Sequence, residues 1–225
     1  MKYFSLIIIA LLFFANTLLY SALPNQIPMH WNINGQIDSY MPKDYGLWLL
    51  PIICLIMWIS FQIIPYFDPK KEKYQLFAKE WQIMQTGIVV FMSYVHSLIL
   101  YITLNPQTPM LPPMFFGLGS LFILFGNYLS KIRQNYFIGV KTPWTLADEE
   151  NWNHTHRYAS WTFVLAGIAT LLQILIPIRA PLFIFTAIIL ASALPILYSF
   201  LYFKKSTYIL KYIYIGLSLA FILII

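Results

Sequence analysis

The chain has 225 residues, of which 60% are hydrophobic and only 10% are charged, whereas a typical soluble domain has about 25% charged residues. This composition excludes a water-soluble fold, because a chain of this length could not bury so much apolar surface. The single cysteine, Cys54, excludes an internal disulfide and any multi-cysteine metal site. The net charge of +6 lies between the apolar runs, so membrane topology explains it and direct nucleic-acid binding is not predicted.

Seven apolar runs predict an all-α fold, a polytopic bundle of transmembrane helices. About 20 apolar residues cross the hydrocarbon layer as a helix whose backbone groups are paired internally. The first run follows Lys2, is longer than a signal-peptide core and lacks a clear cleavage site, so we predict an uncleaved span. The last run contains Lys211, and the bundle has six spans if that run is not inserted. The seven runs are 3–22, 46–65, 83–104, 113–129, 158–177, 182–203 and 207–225.

Basic residues fall mainly in alternate connections. Twelve Lys and Arg lie on one predicted face of the membrane, against only Lys43 and Arg179 on the other. Because basic residues near span ends are retained in the cytoplasm, we predict a multi-pass protein with a cytoplasmic N-terminus. The connections 66–82 and 130–157 are then cytoplasmic, and 23–45, 105–112 and 178–181 are outside.

The first outer connection, 23–45, is predicted to be an ordered extended hairpin or turn, because prolines and a glycine occur among short polar residues. His30 and Asp38 could form an acid–base pair or half of a metal site. No third ligand is close in the sequence, so a structural hydrogen bond is the favoured interpretation. His30 and Trp31 could also form a contact patch for a ligand that arrives from outside.

The inner connection, 126–157, is also predicted to be ordered. Gly139 and Pro143 break the helix, and Thr145 with Asp148 predicts a capping box that starts a new cytoplasmic helix over 146–157. The acidic residues from Asp148 onward match the positive end of that helix dipole, which explains them better than a metal or proton site.

Helical spacing separates the two histidines of this connection. Trp152, His156 and Ala159 fall on one face, which is predicted to pack against the bundle. His154 is two residues from His156, about 200° around the helix, so the two imidazoles point apart. A two-histidine metal site prefers a spacing of four residues, and no metal or other cofactor is predicted.

Polar residues inside the spans are few. His96, near the middle of the third span, is interpreted as an interhelical hydrogen-bonding group rather than a proton relay. A small-solute or ion transporter or channel remains an alternative function, because buried ionisable groups mark transport routes. An enzyme and catalytic residues are not predicted, since His30 lies outside the membrane and His154 and His156 lie on its cytoplasmic side, and no Ser/His, Cys/His or paired-carboxylate arrangement appears.

Two blocks of residues resemble the SdpI-type family of bacterial membrane proteins. The outer block has prolines, His30-Trp31-Asn32, Gly35, Asp38 and Lys43. The inner block is the more specific, because hydropathy alone does not select its polar and aromatic residues. It comprises Gly126-Asn127, Arg133, Asn135, Ile138-Gly139, Thr142-Pro143-Trp144-Thr145-Leu146, Trp152 and Thr155-His156-Arg157.

This resemblance implies an immunity protein of the bacterial cytoplasmic membrane that protects against a secreted membrane-active toxic peptide. In the founding system, such a protein also holds a transcriptional repressor, of the winged-helix type, at the membrane. The expected units are 1–104 with the outer loop and 105–225 with the inner loop, packed as one structure, and lipid is the other expected partner. Toxin recognition is expected at the outer block, and the inner-loop motif is Asn127, Arg133, Asn135, Gly139, Thr142, Pro143, Trp144, Trp152, His156 and Arg157.

Overall fold

A computed structural model describes the backbone of residues 2–175 and 180–222, and the side chains of residues 3–175 and 185–206. The fold is a helical bundle with one small sheet, which confirms the predicted all-α class. A 3-10 helix, Lys71–Phe77, precedes α3. The remaining elements are α1 (Lys2–Leu19), β1 (Gln26–Trp31), β2 (Ile37–Pro42), α2 (Lys43–Phe67), α3 (Ala78–Leu104), α4 (Leu111–Leu129), α5 (Pro143–Ala147), α6 (Glu149–Leu172) and α7 (Ala180–Ile222).

Several of these helices are long and apolar enough to cross a membrane. Within the described residues, four helical stretches meet that criterion, and Tyr3–Leu19 is a shorter apolar helix. α6 is also 24 residues long and packs on α4 and α7, but its polar first turns lower its mean hydropathy. The architecture is therefore that of a multi-pass membrane protein. The four stretches are Lys43–Phe67, Lys71–Leu104, Leu111–Leu129 and Phe185–Ser206.

Helix α7 differs from the sequence prediction. Its 43 residues form one continuous helix, whereas two spans, 182–203 and 207–225, were expected. No proline or glycine lies between residues 196 and 215 to end the helix. The side chains of the predicted seventh run and residues 223–225 lie outside the described residues, as do residues 178 and 179 of the predicted connection 178–181.

The inner connection also differs in its helix boundaries. Instead of a separate helix over 146–157, α6 begins at Glu149 and continues without interruption into the predicted fifth span. The hydroxyl of Ser160 accepts the backbone N–H of Ser130, just past the end of α4, at 2.9 Å. The first two to three turns of α6 therefore extend beyond the end of α4, outside the membrane-crossing part of the bundle.

Close packing of α4 against α6 forms the centre of the second half of the chain. A Cβ added to Gly119 would lie 2.9 Å from the Gly167 carbonyl oxygen, and one added to Gly167 would lie 2.7 Å from that of Gly119. Small residues let membrane helices approach at backbone distance. α3 packs on α4, and α7 packs on α6.

Candidate functional site in the hairpin and the cap

The predicted outer loop is an antiparallel β-hairpin of β1 and β2. We use "hairpin" for residues 23–45. Its inner side packs on the bundle through Ile27, which is fully buried with Leu47 and Ile99. Its outer side carries His30, whose Nδ1 lies 2.5 Å from Asp38 Oδ1. These two side chains are 68% and 42% exposed, so the pair is accessible to a ligand.

Three other residues of the outer block shape the hairpin. The Asn32 carboxamide oxygen accepts the backbone N–H groups of Asn34, at 2.9 Å, and Gln36, at 3.0 Å. Gly35 has a positive φ of 77° in the same turn. Trp31 is partly buried and packs against two buried clusters.

Lys43 connects the hairpin to the end of α1. Its ammonium donates to the backbone carbonyl oxygens of Tyr20, at 3.0 Å, and Leu23, at 3.1 Å. A cation there complements the negative end of the helix dipole. The Tyr20 hydroxyl donates to Asp44, at 2.5 Å, and that hydrogen bond raises the pKa of Tyr20. Lys43 is therefore placed to fix the hairpin's orientation.

The inner loop lies at the opposite end of the bundle. We use "cap" for residues 68–77 and 130–157, which pack together there. Asn135 is fully buried and holds the loop closed with its carboxamide group. Its oxygen accepts the backbone N–H groups of Phe137 and Ile138, and its nitrogen donates to the carbonyl oxygens of Arg133 and Ile138, all at 2.8–3.1 Å.

Gly139 lies directly against His156. Its φ is +115°, and an added Cβ would lie 2.2 Å from His156 Nε2. His156 is fully buried, as are Trp152 and Ala159, which confirms the predicted packing face. The His156 ring stacks on Trp152 with centroids 3.9 Å apart, while the Trp152 indole donates to the Ile132 carbonyl oxygen at 2.8 Å.

His154 points away from this packing face, as the spacing predicted. Its side chain is 41% exposed and its ring stacks on Tyr202 of α7, with centroids 4.6 Å apart. Among the described residues, no group of three His, Cys, Asp or Glu side chains is arranged to hold a metal ion.

The predicted capping box was assigned to the wrong pair. Thr142, not Thr145, is the N-cap residue, and Thr145 is its reciprocal partner in the short helix α5. Asp148 is instead the N-cap of α6 and accepts the Glu150 backbone N–H at 2.9 Å. Pro143 at the first position of α5 explains the shift, because proline suits that position and extends the preceding residue.

The start of α5 also contacts α7. The Thr142 and Ser199 hydroxyls are 3.1 Å apart, and the Asn151 carboxamide donates to the Ser199 carbonyl oxygen at 3.0 Å. All three residues are buried. These hydrogen bonds therefore fix the position of α7 along its axis relative to the cap, at Ser199.

A buried carboxylate that sequence analysis did not identify joins the two parts of the cap. Asp68 is 2% exposed and accepts the backbone N–H groups of Lys70, at 2.7 Å, and Tyr136, at 2.9 Å. It also accepts the Tyr74 hydroxyl at 3.0 Å. The only sequence signal was an Asp-Pro pair directly after a span, in a connection that is rich in lysine.

Charged side chains add to this junction. Lys73 pairs with Glu149 at 2.6 Å, and the hydrogen bond from Lys73 holds the pKa of Glu149 below its usual value. Lys70 donates to the side chain of Gln134, and desolvation lowers the pKa of this lysine. Gln134 in turn donates to the carbonyl oxygens of Thr145 and Leu146, at 2.7 and 2.9 Å.

Four predicted inner-loop residues do not join this buried network. Asn127 is exposed and bonds only the Ile123 carbonyl oxygen of its own helix, at 2.9 Å. The side chains of Arg133 and Arg157 are exposed at the cap surface. Trp144 packs on Phe200 of α7, with ring centroids 5.1 Å apart.

Inside the membrane region, His96 bonds Asn16, with Nε2 and Oδ1 2.8 Å apart. The Asn16 amide nitrogen donates to the Leu47 carbonyl oxygen at 2.6 Å. The predicted interhelical hydrogen bond is thus confirmed, and it joins α1, α2 and α3.

Two family models match the chain in the regions just described. A domain of unknown function, DUF1648, matches residues 7–55, which include the hairpin. The SdpI/YfhL protein family matches residues 131–199, which include most of the cap, α6 and part of α7. The resemblance to the SdpI family is confirmed. The SdpI match ends at Ser199, the residue that joins α7 to the cap.

A curated relative extends the SdpI similarity over most of the chain. Immunity protein SdpI of Bacillus subtilis (strain 168) is 28% identical over 202 residues, which are 89% of this chain and 95% of that protein. No solved structure matches the chain. The SdpI similarity therefore covers both the hairpin and the cap.

Proposed function

We propose that this chain is an integral membrane immunity protein that gives resistance to a secreted, membrane-active toxic peptide. The observation that carries the proposal is the similarity to Immunity protein SdpI across nearly the whole of both chains. The chain has the multi-pass architecture that such a role requires. The relative is named for immunity and not for catalysis, which favours a non-enzymatic function.

The charge distribution supports an orientation for this function. Among the described side chains of the two ends, Lys43 is the basic residue of the hairpin, while ten Lys and Arg lie at the cap end, in residues 68–80, 130–157 and 204–205. Under the positive-inside rule, the cap faces the cytoplasm, the N-terminus is cytoplasmic and the hairpin faces outside.

The hairpin is the proposed toxin-recognition surface. His30 and Asp38 form a paired polar site on its exposed side. Ile33, Tyr40 and Tyr45 are each more than half exposed on the same hairpin. Aromatic and apolar side chains around a polar pair suit an amphipathic peptide, because burying them supplies affinity while the polar pair supplies orientation.

The cap is the proposed inner reporting surface. Its Arg133 and Arg157 side chains are exposed at the cytoplasmic face of the proposed topology. The finer proposal, taken from the family resemblance, is that a winged-helix repressor binds here when toxin is bound outside. A tagged regulator encoded beside the gene should then move to the membrane on toxin exposure, and it should remain cytosolic with Arg133→Ala/Arg157→Ala.

The immunity function is tested by deleting the gene and exposing the cells to culture supernatants of the same strain and of its neighbours. We expect increased killing by at least one peptide-containing supernatant and rescue by the intact gene. His30→Ala and Asp38→Ala should rescue poorly, whereas Asn34→Ala, in the turn between the two strands, should rescue fully. Unchanged sensitivity of the deletion strain to every supernatant would refute the immunity role.

The orientation is tested separately with an impermeant thiol reagent on intact spheroplasts. Asn25→Cys in the hairpin should react, and Lys141→Cys in the cap should react only after lysis. The native thiol, Cys54, is buried, so background labelling should be low. Equal reactivity at both positions would contradict the proposed topology.

A further inference from the structure

A cleft of about 450 Å³ opens at the cap end of the bundle between α3 and α7. Its floor is formed by Phe125 of α4 and Phe163 of α6, and its walls include Met84 of α3 and Ile196 of α7. Within the described residues, α3 and α7 have no Cα atoms within 8 Å of each other. The cleft therefore separates two helices that do not contact each other there: α3 packs on α4, and α7 packs on α6.

The cleft lies close to the cap along the helix axes. Leu129, on its floor, is the last residue of α4, and Met84 lies about two turns after the start of α3. Ile196 is one turn before Ser199, which bonds the cap. At 5.4 Å per turn, these residues lie within about 10 Å of the cap, so we expect the cleft to lie in the outer hydrocarbon of that leaflet.

The cap closes one end of the cleft and places a cation there. The segment 138–141 lines the cleft, and Lys141 is its exposed last residue. The Lys141 ammonium donates to the Phe137 carbonyl oxygen at 3.0 Å. No carboxylate of the described residues lies within salt-bridge distance of it. The apolar cleft is thus lined at its cap end by a lysine.

We propose that this cleft binds an anionic phospholipid of the cap-side leaflet. One acyl chain lies over Phe125 and Phe163, and the headgroup phosphate pairs with Lys141. Basic pockets between membrane helices bind anionic headgroups, and each lysine near the membrane surface contributes attraction. The charge of the cap end also favours an anionic lipid. In residues 68–80, 130–157 and 204–205, ten basic residues outnumber six acidic residues.

The test compares lipid binding to the purified full-length protein in detergent micelles by native mass spectrometry. Phosphatidylglycerol is the anionic probe and phosphatidylcholine, with the same acyl chains, is the zwitterionic control. We expect preferential retention of phosphatidylglycerol, and Lys141→Gln should weaken it roughly fivefold, the factor for one lysine near a surface. Lys79→Gln is the matched control, since Lys79 is exposed at the same end but outside the cleft.

A second variant tests the acyl-chain part of the site. Ser192 lines the cleft from α7, and its hydroxyl donates only to carbonyl oxygens of its own helix, at 3.0 and 3.1 Å. Ser192→Trp should fill the cleft and reduce binding of both lipids while Lys141 remains. Equal losses for Lys141→Gln and Lys79→Gln would overturn the proposal, because they would indicate general surface charge. Unchanged binding in Ser192→Trp would also overturn it.

Discussion

His156 Nε2 accepts the backbone N–H of Val140 at 2.9 Å, which assigns the ring as neutral with its proton on Nδ1. That proton is donated to the Trp152 carbonyl oxygen, 2.8 Å away. The ring is therefore fixed on both nitrogens, and it lies in the cap part of α6, outside the membrane-crossing part. The inner loop is held to α6 by a neutral imidazole.

Replacing His156 with alanine should loosen the inner loop. The variant leaves the buried Trp152 stack without its partner and removes the acceptor for Val140, which we expect to cost about 2–4 kcal/mol. The midpoint of thermal unfolding in detergent should fall, and trypsin should cut near Lys141 at a lower concentration. His154→Ala, two residues away on the exposed face, should have little effect on either measurement.

The cap should lose stability in mild acid. Burial lowers the pKa of His156 to about 4 from the ordinary value of 6.5. The unfolded chain therefore binds a proton before the folded one, and stability present above pH 6.5 is lost as the pH falls towards 4. The full loss is on the order of 3 kcal/mol.

This pH effect is measured as the difference between the intact protein and His156→Gln in thermal unfolding from pH 7.5 to pH 4.5. Glutamine can still accept the Val140 N–H but does not titrate. The intact protein should lose more stability over this range than the variant. Parallel curves would show that protonation of His156 does not destabilise the cap.

An alanine at Gly139 should be poorly tolerated. The backbone φ of +115° is unfavourable for a side chain, and the new Cβ would overlap His156 Nε2. We expect a loss of about 2–5 kcal/mol in unfolding free energy. Gly46→Ala is the matched control, because its Cβ would meet Ile27 and Met29 at an ordinary 3.5 Å. A helical alanine there should be neutral or slightly stabilising.

Asp68→Asn should weaken the junction between the two parts of the cap. Three donors converge on the carboxylate, and a carboxamide replaces one acceptor oxygen by a donor that cannot accept them. The expected cost is about 1–3 kcal/mol, seen as faster backbone hydrogen exchange at Tyr136. Glu72→Gln, on an exposed part of the 3-10 helix, should leave this exchange rate unchanged.

Asn16→Ala should destabilise the first three helices. The substitution leaves the Leu47 carbonyl oxygen and His96 Nε2 without the partner that joins α1 to α2 and α3. Interhelical hydrogen bonds in membranes contribute about 0.5–2 kcal/mol, which thermal unfolding in detergent can resolve. Asn127→Ala should cause no measurable loss, because Asn127 bonds only its own helix.

The parts of the fold that local chemistry determines were predictable from sequence. The first six apolar runs each fall on a helix, and proline with glycine marked the hairpin. Helical spacing separated the buried His156 from the exposed His154. Each of these features depends on residues within one turn or one span of each other, so a single stretch of sequence contains the whole signal.

The missed features depend on contacts between distant segments. Asp68 and Tyr136 are 68 residues apart, and no local pattern shows that a carboxylate will be buried beneath another loop. The capping box was predicted at the wrong pair for a local reason. Both Thr142 and Thr145 are suitable N-cap residues, and only the position of Pro143 distinguishes them. The continuity of α7 was missed because charged residues at 204–205 resemble a boundary, although nothing in the backbone ends the helix there.

The unbroken helix α7 bears on which side of the membrane the end of the described chain lies. From Ala180 to Ser199 it rises about 29 Å, close to the thickness of the hydrocarbon, and from Ser199 to Ile222 it rises about 35 Å more. Because Ser199 is bonded to the cap, we expect residue 222 to lie on the same side of the bilayer as residue 2. A reporter fused at residue 222 should therefore be accessible from the cap side, in the same compartment as residue 2.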